Sequence, residues 1–97
     1  MKIYISGAIS GIPVQTVTKQ FKKGEDEIRD KGHEPINPLN NGLESSASWI
    51  DHMRADIKML LDCDAIYMLV GWADSRGAII EKQLAQNLGM KVFLQKP

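Results

Sequence analysis

The sequence predicts an α/β fold: a small parallel sheet with helices on both faces, in the order βαβαβαβ and with strand order 2-1-3-4. Three observations carry that expectation. Ala65 to Val70 is an apolar run of strand length without alternation, as a central parallel strand covered on both faces requires. Short apolar segments alternate along the chain with longer amphipathic stretches of helical period. Right-handed crossovers between successive parallel strands then leave few arrangements, of which 2-1-3-4 is the simplest with helices on both sides.

Met1 to Ser6 (MKIYIS) reads as the first strand, followed by a small-residue loop from Gly7 to Pro13. A charged, amphipathic helix runs from about Val14 to Lys31, with Val17, Phe21 and Ile28 on its apolar side, and stops at Gly32. His33 to Ile36 is a weak second strand. Pro35 cannot donate to a ladder, so that strand belongs at a sheet edge. Asn37 to Ser46 is a polar loop, long enough to serve as a lid or binding loop. With Ser48 as N-cap, a second helix reaches Asp62, and its expected apolar arc is Trp49, Ile50, Met53, Ile57, Leu60 and Leu61. The third strand opens after Asp64, a junction residue, and Gly71 to Ser75 breaks the pattern. Ser75 is a good N-cap for a third helix from Arg76 to Leu88, closed by Gly89. Lys91 to Leu94 is the last strand.

Composition narrows the class. The 97 residues are expected to form one domain, residues 1–97, and twelve basic against twelve acidic side chains argue against a nucleic-acid surface or a membrane patch. A single cysteine, Cys63, reads as a buried thiol and rules out an internal disulfide or a multi-cysteine metal site. With two histidines besides, a transition-metal site is not expected. No signal peptide and no bilayer-spanning run is visible, so a cytoplasmic location is expected. The first loop, Gly-Ala-Ile-Ser-Gly, is neither a dinucleotide fingerprint nor a P-loop, and no nucleophile elbow is present.

The topology itself locates a site. Ligands of open α/β sheets bind beyond the carboxyl ends of the strands where strand order reverses, here between strands one and three. Gly7 to Gly11 and Gly71 to Gly77 should face each other there, both small enough for close backbone approach and both preceding helix N-termini. At about 100° per residue, Glu81 falls in the middle of an apolar arc made by Ala78, Ile80, Leu84, Ala85 and Leu88. Such a carboxylate either reaches the rim, pairs with Arg76 or Lys82, or is kept for chemistry. Asp56 lies at the border of the second helix's arc, where it is either a surface ion-pair member near Arg54 or Lys58 or a second carboxylate of the crevice. Two carboxylates converging on one cleft suit glycosidic bond chemistry, one attacking the anomeric carbon and the other managing the leaving group's proton.

Tyr4-Ile-Ser-Gly-Ala-Ile-Ser-Gly11, Asp56 placed eight residues before Asp64, and Ser75-Arg-Gly-Ala-Ile-Ile-Glu81 together resemble the nucleoside 2-deoxyribosyltransferase superfamily, which includes the 2'-deoxynucleoside 5'-monophosphate N-glycosidases. Within it the chain is most like a small bacterial and phage branch. The resemblance spans nearly the whole chain and implies a flavodoxin-like fold. It implies Glu81 as a nucleophile that attacks C1' and forms a glycosyl-enzyme, Asp56 as the carboxyl group that holds the sugar and assists proton transfer to the base, and Tyr4 as the group positioning Glu81. Ser75 and Gly77 match the residues that bind the 5' end of the substrate, and Gly7 and Ile9 line the sugar and base pocket. Ser10, Gly11 and Trp72 join the binding set through their loops. Where the monophosphate N-glycosidases have Gly-Ser-Ile-Arg-Gly, this chain has Ala8 and Ser10 at the Ser and Arg positions.

The expectation is therefore an enzyme that cleaves or transfers the N-glycosidic bond of a 2'-deoxynucleoside or its 5'-monophosphate, with no metal or organic cofactor. The alternative is a non-catalytic nucleotide-binding or sensing module of the same fold. Relatives are homo-oligomers with a further strand and tail. A bare final edge together with Trp49 and Trp72 would suit self-association, and both tryptophans suit a core equally well.

Overall fold

The structure, a computed structural model, describes residues 1–97. Four strands, β1 (Lys2–Ser6), β2 (Glu34–Ile36), β3 (Ala65–Met68) and β4 (Lys91–Leu94), and three helices, α1 (Val14–Asp30), α2 (Trp49–Leu61) and α3 (Arg76–Asn87), alternate along the chain. The sheet has the order β2-β1-β3-β4, with every pair parallel. The expected α/β fold, 2-1-3-4 with helices on both faces, is the one observed.

Strand alternation splits the core into two halves. Ile3 and Ile5 of β1 face α1 and pack with Val17, Phe21, Ile28, Ala65 and Leu69. Tyr4 of β1 and Ile66 and Met68 of β3 point the other way, toward α2 and α3, and pack with Leu60, Cys63, Ala78 and Ala85. Cys63 is buried, as its neighbourhood implied. Gly24 lets α1 approach the sheet: a Cβ there would lie 2.9 Å from Leu69 Cδ2. Gly32 and Gly89 follow α1 and α3 with φ of 82° and 76°, the left-handed conformation that ends a helix.

Three local expectations are corrected. The third strand ends at Met68 and not at Val70: the Leu69 N–H still bonds the Ser6 carbonyl at 2.8 Å, but the Leu69 carbonyl turns to accept from Trp72 N–H, and Val70 is 54% exposed. The seam of α2 is rotated. Met53, Asp56 and Leu60 are its buried residues, while Trp49, Ile50 and Leu61, expected on the arc, are exposed. The N-terminal half of α2 borders a cleft instead of resting on the sheet, which leaves its large apolar residues partly open. Leu88, placed on the arc of α3, lies beyond the last turn and is exposed as well.

The loop 37–46 contains one 3₁₀ turn, Pro38–Asn40, with Asn37 as its cap. A second short 3₁₀ turn, Trp72–Asp74, lies between β3 and α3. No helix is long and apolar enough to cross a membrane.

Candidate active site

α3 places Glu81. The Ser75 hydroxyl accepts the Ala78 N–H at 3.2 Å and starts the helix, and Ala78, Glu81 and Ala85 form its buried stripe. Glu81 is 5% exposed, so its charge needs partners. They come from β1, where Tyr4 and Ser6 stand two residues apart and therefore on the same side of the strand. The Tyr4 hydroxyl donates to Glu81 Oε2 at 2.7 Å and the Ser6 hydroxyl to Oε1 at 2.7 Å. No cation joins them. The Arg76 guanidinium lies over the Trp49 ring, 4.6 Å from its centroid, and the Lys82 ammonium over Trp72 at 5.0 Å.

The environment of Glu81 pulls its titration in two directions. Burial, the largest effect, raises its pKa from 4.5 to about 7, the Ser6 and Tyr4 hydroxyls act to lower it, and the neighbouring Asp56 adds to the rise. Burial and then Glu81 hold the Tyr4 phenol well above its ordinary range, so it remains a donor.

Asp56 comes from α2 and is also buried. Burial raises its pKa, opposed by a hydrogen bond from Asn41 and by the nearby His52. Asn41 Nδ2 donates to Asp56 Oδ1 at 2.8 Å and lies 3.0 Å from His52 Nδ1. The ion pairs conceivable from sequence do not form: Arg54 binds Asp51 at 3.2 Å, and neither residue lines the cleft.

Both carboxyl groups open on one cleft of about 530 Å³, within the range of small-molecule sites. Its walls are the β1–α1 loop with Gly7, Ile9 and Ser10, the loop before α2 with Leu39, Asn41 and Leu43, the cleft side of α2, and the start of α3 with Ser75 and Gly77. The two glycine-bearing loops therefore meet at the point where strand order reverses. Tyr4 is wholly buried beneath the cleft and reaches it through Glu81. Gly11 and Trp72 are outside the lining: Gly11 is exposed, and Trp72 packs against the core half beneath α2 and α3.

Three residues of this arrangement were not singled out by sequence. Ser6 carried a usable signal, since alternation puts it on Tyr4's side of the strand. Asn41 and His52 carried none, because neither loop composition nor helical period says which loop residue reaches which helix. Among the lining residues the ionisable side chains are His52, Asp56 and Glu81; no Lys or Arg lines the cleft. No group of three or more His, Cys, Asp or Glu side chains is arranged to hold a metal ion. Chemically, the cleft offers one carboxylate with both oxygens fixed by hydroxyl donors and a second whose Oδ1 is capped by an amide.

Comparison with known proteins agrees with this architecture. The family described as domain of unknown function DUF4406 matches residues 1–94, and the chain belongs to that family. No curated protein sequence matches. Among solved structures, a 2-deoxyribosyltransferase of Bacillus psychrosaccharolyticus superposes with a TM-score of 0.76 at 24% identity, over 97% of this chain and 71% of that one. A CMP N-glycosidase of Clostridium botulinum gives a TM-score of 0.66 at 20% identity, over 97% of this chain and 70% of that one. A 2-deoxyribosyltransferase of Leishmania mexicana gives 0.70 at 20% identity, over 96% of this chain and 62% of that one. The fold is that of the nucleoside 2-deoxyribosyltransferase-like proteins, as the motifs implied.

Proposed function

We propose that this DUF4406 chain cleaves or transfers the N-glycosidic bond of a 2'-deoxynucleoside or its 5'-monophosphate, through a covalent intermediate on Glu81. The observation that carries the proposal is the buried Glu81 carboxylate, held by Tyr4 and Ser6 and facing the same cleft as Asp56. The similarity in fold to transferases and an N-glycosidase supports it.

In the first step a Glu81 carboxylate oxygen attacks C1', the C1'–N bond breaks, and its electron pair leaves with the base, which takes a proton from Asp56. Each carboxylate oxygen keeps a free lone pair beside its hydroxyl bond, so attack does not require Tyr4 or Ser6 to let go. In the second step water, or the nitrogen of another base, attacks C1' and releases Glu81, while Asp56 takes back the proton. Two displacements retain the anomeric configuration. Ser75, Gly77, Gly7, Ile9 and Ser10, which line the cleft, make up the proposed binding set, without Gly11 and Trp72, and no step passes through a metal or cofactor. Self-association belongs to the same proposal: β4 has a neighbour on one side only, and Phe93 and Leu94 on it are exposed.

The test is incubation of the protein with a panel of 2'-deoxynucleosides and their 5'-monophosphates, with chromatography for free base, beside Glu81→Ala. Release that vanishes in the variant supports the proposal. A second reading, a non-catalytic nucleotide-binding module, draws support from Ala8 and Ser10 in the first loop. It predicts no release but a nucleotide-dependent rise in melting temperature.

A further inference from the structure

The cleft contains a polar linkage that the proposed chemistry does not use. Asn41, in the loop before α2, uses its amide oxygen and both hydrogens of its amide nitrogen. Its Oδ1 accepts the Leu43 N–H at 2.9 Å, which fixes the orientation of the side chain and turns Nδ2 toward α2. Reversing the amide would set a donor against the Leu43 N–H and an oxygen against the Asp56 carboxyl. With Nδ2 so placed, one hydrogen goes to Asp56 Oδ1 at 2.8 Å and the other to His52 Nδ1 at 3.0 Å. His52 Nδ1 therefore accepts, its proton sits on Nε2, and Nε2–H donates to the Glu44 carbonyl at 3.0 Å. His52 and Asp56 are four residues apart on one face of α2, which is why a single amide spans both.

The consequence for Asp56 concerns which of its oxygens is available. Oδ1 is occupied by Asn41, whereas no protein donor meets Oδ2, and no buried side-chain oxygen or nitrogen lacks a partner. Oδ2 is thus the oxygen open to the cleft. We propose that Asn41 is a positioning residue: by capping Oδ1 while its other amide hydrogen rests on His52 Nδ1, it directs Oδ2 of Asp56 at the leaving base and ties the loop 37–46 down as the wall of the cleft. Asn41 itself exchanges no proton. A proton carried by Asp56 sits on Oδ2, facing the bond to be broken.

The role rests on the N-glycosidic reading only for its kinetic consequence, and the experiment has two arms for that reason. The first follows the Asp56 carboxyl carbon by NMR through a pH titration, in the wild type and in Asn41→Leu, which keeps the volume and removes every polar atom. The groups facing Asp56 are Glu81 from α3, Tyr4 from β1, His52 from its own helix and Asn41 from the loop. Of these the substitution removes only the Asn41 donor, so the Asp56 midpoint rises by about half a pH unit or more. The second arm measures turnover: kcat falls at least about tenfold with KM within threefold, as misdirection of a proton-transfer group demands. Asn41→Ala serves as the second variant, and both keep the wild-type melting temperature within a few degrees because the residue lies in a surface loop. An Asp56 midpoint that does not move in either variant overturns the proposal. A moved midpoint with unchanged kcat in an active enzyme also overturns it. If the wild type proves inactive on the whole panel, the function reading fails while the titration still decides whether Asn41 caps Asp56.

Discussion

Glu81 shows how a single side chain departs from what stability alone would select. A carboxylate in the buried stripe of α3 costs desolvation energy, and two hydroxyl donors offset only part of it, as the rise from 4.5 to about 7 shows. The folded protein therefore keeps a proton that the unfolded chain releases between those values, so stability falls as pH rises through this window. At pH 8 the penalty is roughly 3 kcal/mol. Glu81→Gln is expected to raise the melting temperature at pH 8 by several degrees and to change it little at pH 4, while lowering activity at least about a thousandfold. Calorimetry at the two pH values checks the first part. Tyr4→Phe removes a donor to the ionised form, so the acidic limb of kcat/KM moves to higher pH, and a pH profile reads the shift directly. Glu81 was legible in the sequence because helical period exposes a charge among apolar neighbours. Ser6 was less so, since a serine ending an apolar strand looks ordinary until its strand partner Tyr4 is considered with it.

At the scale of elements, helix caps and strand order position the site. Ser75 serves both as the N-cap of α3 and as lining of the cleft, so Ser75→Ala is expected to cost about 1 kcal/mol and to lower the melting temperature by several degrees, whatever it does to KM. Gly7 begins the first loop in a space already filled: a Cβ would lie 3.0 Å from Leu69 Cδ1 and 3.1 Å from Leu69 Cβ. Gly7→Ala should destabilise by about 1–3 kcal/mol and displace the loop that carries Ile9 and Ser10, measurable by denaturant unfolding and by a raised KM. The caps of α2 and α3 and the stop at Gly32 were readable because each depends on one residue type at one place. The seam of α2 was not, because its wheel cannot distinguish a face resting on the sheet from one bordering a cleft. Trp49 illustrates this: apolar by pattern, it stands at the cleft rim under Arg76 and not in the core.

For the molecule as a whole, connection rules settle almost everything that matters to the site. Four parallel strands in the order 2-1-3-4 bring β1 and β3 together at the centre, and the loops that follow them converge with the start of α3 and the side of α2. That convergence was visible from topology, and the loop 37–46 was expected as a lid or binding loop; which of its residues reaches the cleft was not legible, because no periodicity constrains it and its place depends on Asn41 reaching Asp56. The far edge of the sheet remains open at β4, with Leu94 58% exposed. Sedimentation should therefore show a dimer or larger assembly, and Leu94→Lys should shift it toward the monomer if that edge is the interface.

The most direct test of the central claim, a glycosyl ester on Glu81, is intact-mass and peptide mass spectrometry of the protein quenched during reaction with a nucleoside whose 2-fluoro sugar slows breakdown of the ester. One added sugar unit is expected, mapped to the peptide containing Glu81 and absent in Glu81→Gln. Base release from the same nucleoside with no adduct, or an adduct that persists in Glu81→Gln, would contradict it.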